Sequence, residues 1–489
     1  LITTSMSRII LIPFLMAVMS MVRAQTPPNI LILFADDQRA DAFGAAGNPY
    51  ISTPNIDRLS ALGTRFTQAY CMGGHHGAIC APSRAMLMSG RQLFKVYDRL
   101  NGVLTMPMWF GEHGYRTFVT GKWHSEKEAL AAGFQEAKSV FFGGMDDHFR
   151  TAITDKLPDG SFSPTREEGF STRVFADALR GFLQSYADSD RSRPFFAYAA
   201  FTAPHDPRSP DSAYLDRYPQ NGLPIPPNFL PVHPFNIHDM QVRDENLGAY
   251  PRTPEMIRGQ LADYYALITQ LDDEIGRIFR QLERDGLMEN TIIVYAADNG
   301  LSLGSHGLLG KQDLYEHSMR VPLIMKGPGV LANASRNAMV YLLDIFPTLC
   351  DLAGLPKPDS LYGTSLLPVL TGAQKEVRSS LFTAYRSNVR AVRDGRWKFI
   401  RYPHLHFSQL YDLQSDPWEL NNLAGKPEFS TDENRMLQLM QQWQKELEDP
   451  HPFTQPVKES GAFDPSTFPR QPDPHQPPYV LERYFKDGR

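Results

Sequence analysis

The sequence predicts an α/β protein, with a central mostly parallel sheet flanked by helices and a smaller C-terminal antiparallel sheet with a helix. Three observations carry this reading. Continuous apolar runs at 30–35, 194–201 and 291–297 are typical of strands covered on both faces, as in a parallel sheet. Stretches with helical spacing of apolar residues lie between the runs. Beyond about residue 370 the pattern changes to short alternating runs joined by turns such as Asp394-Gly395.

In chain order, 30–35 is a strand that stops abruptly at Asp36-Asp37, and 54–63 reads as a short helix. Pro82-Ser83-Arg84 reads as a helix start, continued by Ala85-Met86-Leu87-Met88. Residues 106–113 read as a helix. Gly114 turns the chain into a strand ending at Gly121-Lys122-Trp123-His124. Residues 125–165 have weak periodicity and several glycines, so they read as loops. A helix at 172–187 precedes the strand that ends in Ala203-Pro204-His205. The proline-rich, polar stretch 206–254 is long for a compact domain and is expected to be functional, as a rim over a cleft. A long helix at 256–287 leads to the strand that stops at Asp298-Asn299-Gly300. A strand at 321–325 and a helix at 340–355 follow. Runs at 381–385, 389–392, 397–402 and 409–412 form the small sheet, 436–448 is helical, and the proline-rich end wraps the surface. The expected division is 1–24, 25–370 and 371–489.

Arg8, the apolar run 9–18 and Val22-Arg23-Ala24 have the layout of an export signal cut before Gln25, which predicts a periplasmic or secreted protein. No later segment is long and apolar enough to span a membrane. The net charge of −5 gives no global basic field, which argues against nucleic acid as a partner. The three cysteines, Cys71, Cys80 and Cys350, form neither a disulfide framework nor a CxxC metal pair.

Four strands end in polar groups: Asp36 and Asp37, Lys122 and His124, His205, and Asp298 and Asn299. Ligands of open parallel sheets bind outside the carboxyl ends of the strands. Asp36, Asp37, Asp298 and Asn299 offer oxygen only, which suits Ca²⁺, or Mg²⁺, over zinc or copper. Arg84, Lys122, His124, His205 and Lys311 are cations or proton donors. A hard metal beside them suits a tetrahedral oxyanion, phosphate or sulfate. Cys80, at a helix start, would face that anion. Taken alone, its stretch fits a buried structural cysteine equally well.

Cys80-Ala81-Pro82-Ser83-Arg84 followed by Ser89-Gly90 resembles the signature of the formylglycine-dependent type I sulfatases. Gly114-Tyr115-Arg116-Thr117 with Gly121-Lys122-Trp123-His124 resembles that family's second signature. Asp36-Asp37, Ala203-Pro204-His205, Asp298-Asn299-Gly300, Lys311, Arg320-Val321-Pro322 and the distal Leu410-Tyr411-Asp412-Leu413 to Asn422 pattern are similar as well. The resemblance covers roughly 28–425 and implies the alkaline-phosphatase-like fold. It further implies that a maturation enzyme oxidises Cys80 to formylglycine (3-oxoalanine), whose hydrate attacks sulfur. By the same resemblance, Asp36, Asp37, Asp298, Asn299 and the residue-80 oxygen hold Ca²⁺. Arg84 and Lys122 hold the hydrate, His124 takes a proton, and His205 and Lys311 serve the leaving group and the sulfate. The expected substrate is a sulfated carbohydrate, and His75, His76, Arg208, His306 and His317 are candidate selectors. The alternatives are a small sulfate ester such as choline or aryl sulfate, a phosphate mono- or diesterase of the same superfamily, and an inactive glycan-binding relative.

Overall fold

Alternation along the first buried strand divides the core into two layers. The computed structural model describes residues 27–189, 191–237, 239–451, 461–467, 478, 481 and 482. The export signal and most of the proline-rich end therefore lie outside the described residues. Strands β1 (Asn29–Ala35), β2 (Thr64–Tyr70), β3 (Gly73–Gly74), β4 (Arg116–Lys122) and β5 (Glu136–Phe141) come first. A two-residue pair follows, β6 (Ala152–Ile153) and β7 (Arg166–Glu167), then β8 (Phe195–Ala200), β9 (Thr291–Ala297), β10 (Arg320–Lys326) and β11 (Ala334–Tyr341). The last four are β12 (Leu381–Tyr385), β13 (Val389–Arg393), β14 (Trp397–Tyr402) and β15 (Phe407–Asp412).

The main sheet has the order β11-β2-β10-β9-β1-β8-β4-β5. Every pairing in it is parallel except those of β10 with β2 and β9. Ile32 of β1 lies opposite Tyr198 of β8 on one side and Val294 of β9 on the other. Ile30, Ile32 and Phe34 pack in one layer with Met86 and Leu87 of the Cys80–Ser89 helix, Phe110 and Phe346. Leu31, Leu33 and Ala35 pack in the other with Leu179 and Phe182 of the Ser171–Ala187 helix and Ile275 and Ile278 of the Pro254–Arg284 helix. Each leucine, isoleucine, methionine or phenylalanine among them contributes roughly 1.5–3 kcal/mol by leaving water.

Three stretches of the chain depart from the expectation. β2 was not anticipated, because its sequence TRFTQAY is half polar and only partly covered. The stretch 125–165 contains a helix, Lys127–Gly133, and the edge strand β5, whose Glu136 and Lys138 interrupt the apolar run. The helix expected from 340 begins at Ile345, since Val340 and Tyr341 end β11. Asp344 fixes that switch, its carboxylate accepting from the Tyr341 N–H at 2.7 Å. The long helix starts as its sequence suggests. Pro254 opens it, and Thr253 Oγ1 accepts from the Met256 N–H at 3.2 Å.

The small sheet has the order β15-β14-β13-β12-β3, with Met436 and Met440 of the Ser430–Leu447 helix packed into the same core layer. Its last member, β3, comes from the segment just before the Cys80 helix. Gly73 and Gly74 run parallel to Ala384 and Tyr385. Gly73 has φ +95, and a Cβ there would lie 2.0 Å from the Ala384 carbonyl oxygen. Only glycine permits that approach. Gly73→Ala is expected to cost about 3 kcal/mol, from strain plus loss of the β3–β12 pairing. Gly47→Ala, at φ +96 with nothing within 4 Å, should cost about 1 kcal/mol. Urea midpoints of the two variants would check the difference, and equal losses would contradict the packing argument.

Candidate active site

β1, β4, β8 and β9 are parallel neighbours, so their carboxyl ends open on one side of the sheet. Asp36 and Asp37 follow β1, Lys122 ends β4, His205 lies just past β8, and Asp298 and Asn299 follow β9. The Cys80–Ser89 helix points its N-terminus at this edge, and every residue of it is buried. Ser83 Oγ donates to the Asp298 carbonyl at 2.6 Å, which pins the first turn of that helix to β9.

At the floor, Asp36, Asp37 and Asp298 bring carboxylate oxygens within 4.8 Å of one another. Arg84 Nε donates to Asp298 Oδ2 at 2.9 Å, and Arg84 Nη2 lies 3.4 Å from Asp36 Oδ1. Lys122 Nζ donates to Asp36 Oδ2 at 2.5 Å and lies 3.8 Å from Cys80 Sγ. Lys311 Nζ donates to Asp37 Oδ1 at 2.5 Å. Asn299 Nδ2 donates to the same oxygen at 2.8 Å. Asp37 has φ 65, a left-handed turn held by Tyr264, whose hydroxyl donates to the Asp37 carbonyl at 2.7 Å.

Burial drives the titration of these groups. It raises Asp36 well above the usual carboxylate range, and the Asp298 charge adds to the rise against the pull of Lys122 and Arg84. For Asp298, Arg84 and Lys122 outweigh burial and hold the carboxyl below its usual range. Burial and then Lys311 push His205 well below an ordinary histidine, and burial and then Lys122 do the same to His124. Burial disfavours the Lys311 ammonium, but Asp37 outweighs it and raises its pKa. Burial pushes the Cys80 thiol up to about 11 against Lys122 and Lys311.

Above the floor lies a cavity of about 520 Å³ lined by Cys80, His124, His205 and Lys311, with Gly144, Met145, Val242, Arg243, Asp244, Gln312 and the loop Gly77-Ala78. Such a volume suits one small ligand or the end of a larger one. The ten strand-end, helix and Lys311 residues singled out in the sequence thus converge here.

The five candidate selectors do not line this cavity. His75 and His76 sit half-exposed on the loop before Gly77, both Nε2 atoms turned to Asp98. Arg208 is buried against Gln260. His306 and His317 are buried against Tyr315. The chain folds back between Asn299 and Lys311, so closeness in sequence to Lys311 did not bring these two histidines to the cavity. The wall instead uses Arg243, Asp244 and Gln312. Arg243 Nη2 donates to Asp206 Oδ1 at 3.0 Å and Asp244 Oδ1 at 2.7 Å. Gln312 Nε2 donates to Asp244 Oδ2 at 2.7 Å and to the Gly77 carbonyl at 3.0 Å. The charged run Arg243-Asp244-Glu245 inside the proline-rich stretch was the available signal, and nothing in its spacing set it apart.

A match to the family model described as Sulfatase covers residues 28–355, well over half of the chain. The chain belongs to the sulfatase family. A second model, described as the C-terminal part of N-sulphoglucosamine sulphohydrolase, covers 304–446. This sulfatase is 27% identical to an N-acetylglucosamine-6-O-sulfatase of Bacteroides thetaiotaomicron, with 87% of the chain and 88% of the relative covered. It is 28% identical to an ulvan-active sulfatase of Formosa agariphila, covering 84% of the chain and 80% of the relative. A choline-sulfatase of Rhizobium meliloti is also 28% identical, with 83% and 84% covered. A protein solved with its substrate D-glucosamine-2-N,6-O-disulfate superposes with a TM-score of 0.73 at 24% identity, over 88% of this chain and 99% of that one. A phosphonate monoester hydrolase of Agrobacterium radiobacter shares the fold, with a TM-score of 0.71 at 22% identity over 86% and 96%. The sulfatase is an enzyme that hydrolyses sulfuric esters.

Arg84→Lys should lower kcat/KM on any cleaved sulfate ester by about 10²-fold. A lysine cannot reach Asp298, Asp36 and the Lys122 carbonyl together. Kinetics within threefold of the parent would contradict that role.

Proposed function

We propose that this sulfatase removes sulfate from an O-sulfated glycan, using formylglycine at position 80 beside a Ca²⁺ ion held by Asp36, Asp37, Asp298 and Asn299. The observation that carries the reading is the placing of Cys80 Sγ at a helix start, among three carboxylates, Lys122 and Lys311, at the base of a cavity. A thiol held at about 11 is protonated at neutral pH, which argues against a thiolate nucleophile. The donor set fits a hard cation. It is oxygen-only, and Asp36 Oδ1 and Asn299 Oδ1 are buried atoms that accept no hydrogen bond. Burial, with the Asp298 charge adding to it, raises Asp36, and a divalent charge would favour its ionised form. Mg²⁺ is the alternative ion.

When present, formylglycine supplies a hydrated aldehyde with one hydroxyl to attack sulfur and another to release the product. The bound cation, when present, polarises a sulfate oxygen. The remaining work belongs to the chain. Lys122 and Arg84 hold the substituent at position 80 against Asp36 and Asp298. His205 Nδ1 faces the Asp206 carbonyl at 2.7 Å, so Nε2 is the atom turned to Asp37 and the cavity. Lys311 keeps its proton in this site, whereas His205 and His124 rest neutral. Lys311 Nζ is therefore the proton-bearing group beside the sulfate and its leaving oxygen. His124 Nδ1, buried and accepting no hydrogen bond, is free to take a proton.

The glycan substrate is supported by the names of two relatives, the N-acetylglucosamine-6-O-sulfatase and the ulvan-active sulfatase. We further propose that the chain is exported after cleavage before Gln25 and that a maturation enzyme modifies Cys80. Among the described residues, no helix is long and apolar enough to cross a membrane.

Peptide mass spectrometry of active protein from a host with maturation enzymes should find an aldehyde at position 80. A plain thiol in fully active protein would sink the proposal. Cys80→Ala should abolish turnover with an unchanged thermal midpoint, and Lys311→Ala should lower kcat by about 10²–10³-fold. Chelation should remove activity and Ca²⁺ should restore it. Defined sulfated saccharides, assayed beside choline sulfate and paired aryl sulfate and aryl phosphate, decide the substrate. Release of sulfate from choline sulfate alone, or faster cleavage of the phosphate, would overturn the glycan reading.

A further inference from the structure

Between the segment that carries Lys311 and the small sheet lies a second group of ligand-type side chains. His306, His317 and Glu419 each bring one nitrogen or oxygen within 4.8 Å of the other two. They are 7%, 8% and 1% exposed. His306 Nε2 and His317 Nδ1 are buried and have no hydrogen-bond partner. Leaving a buried polar atom unsatisfied costs about 1–3 kcal/mol, so native structures contain few. Two imidazole nitrogens in this condition, beside a carboxylate, need an explanation.

The surroundings orient all three. His306 stacks on Tyr315, ring centroids 4.0 Å apart, and His317 lies alongside with its ring centroid 5.7 Å from that of His306. His317 Nε2 lies 3.1 Å from Ser302 Oγ and 3.4 Å from Asp313 Oδ1. Histidines that ligate metals are commonly held in this way, one nitrogen on a carboxylate or hydroxyl and the other on the ion. Glu419 Oε2 accepts from the Glu316 N–H at 2.8 Å, which fixes the carboxylate.

An ion pair alone does not account for the cluster. Lys398 Nζ lies 2.9 Å from Glu419 Oε1 and 3.1 Å from Glu316 Oε1, so it serves the carboxylates and leaves both ring nitrogens unsatisfied. Arg393 adds a second cation, 3.3 Å from Glu316 Oε2. Glu316 and Glu419 thus face Lys398 and Arg393, while the Asp313 carboxylate lies on the histidine side, beside His317.

We propose that His306, His317 and Glu419 form a zinc site that fastens the Lys311 segment to the small sheet. Two imidazole nitrogens and one carboxylate are a borderline donor set that suits tetrahedral zinc with water as the fourth ligand. The oxygen-only group beside Cys80 suits a harder ion, so donor type would sort the two metals between the two sites. The histidines precede β10 and Glu419 follows β15, so the ion would tie together two parts of the chain that fold from distant sequence.

Tag-free protein grown with added zinc, then dialysed, can be measured by elemental mass spectrometry and zinc-edge absorption spectroscopy. About one zinc per chain is expected, with two imidazole ligands at about 2.0 Å. His306→Asn and His317→Gln should each reduce that zinc at least tenfold while leaving bound calcium unchanged. A zinc-selective chelator should lower the thermal midpoint of the parent and not that of the variants. Zinc below a tenth of an equivalent in the parent, sulfur scattering that puts the ion on Cys80, or unchanged zinc in both variants would overturn the site. If neither variant folds, zinc content and imidazole scattering in the parent decide.

Discussion

Three buried carboxylates with oxygens within 4.8 Å of one another are the constraint on which this molecule is built. Asp36, Asp37 and Asp298 repel each other in a medium that screens poorly, and each is penalised for leaving water. The arrangement persists because three cations converge from separate elements: Arg84 from a helix, Lys122 from β4 and Lys311 from the segment after β9. Charge cancels at three against three. A divalent cation among the carboxylates would turn a neutral floor into one with two positive charges, which is the field a sulfate ester requires. The opposite shifts of Asp36 and Asp298, one raised and one lowered by unequal shares of burial and cation contact, mark the same imbalance from the protein side.

The parallel sheet makes this crowding possible. Adjacent parallel strands end on the same side, so β1 and β9 deliver Asp36, Asp37 and Asp298 to one edge without any long side chain having to bend back. An antiparallel neighbour at that point would have sent one of the carboxylates to the far edge. The reversal of β10 falls beyond β9 and leaves the site intact.

Residues whose role follows from the end of a continuous apolar run were legible in the sequence. Asp36, Lys122, His205 and Asp298 stand at such ends, and the runs themselves are strong because β1, β8 and β9 are covered on both faces. β2 and β5 escaped because partial exposure allows polar residues into the pattern. The outer wall of the cavity was the least legible part. Arg243 opens a short 3₁₀ helix and Gln312 lies on irregular backbone, and neither stretch is long enough for a period to link a residue number to a direction in space. His306 and His317 illustrate the converse: sequence nearness to Lys311 suggested a shared site, while the turns at Leu303 and His306, both at positive φ, send them into the core.

The pairing of Gly73 and Gly74 with β12 also has a temporal side. The segment leading into the Cys80 helix accepts hydrogen bonds at the Met72 and Gly74 carbonyls from the Ala384 and Arg386 N–H groups, more than three hundred positions further along the chain. During synthesis the helix N-terminus therefore emerges long before the partner that locks it down. Contacts of such separation form late, since the loop they close must first exist. Cys80 is 2% exposed once the fold is complete, and before that its thiol is open to solvent.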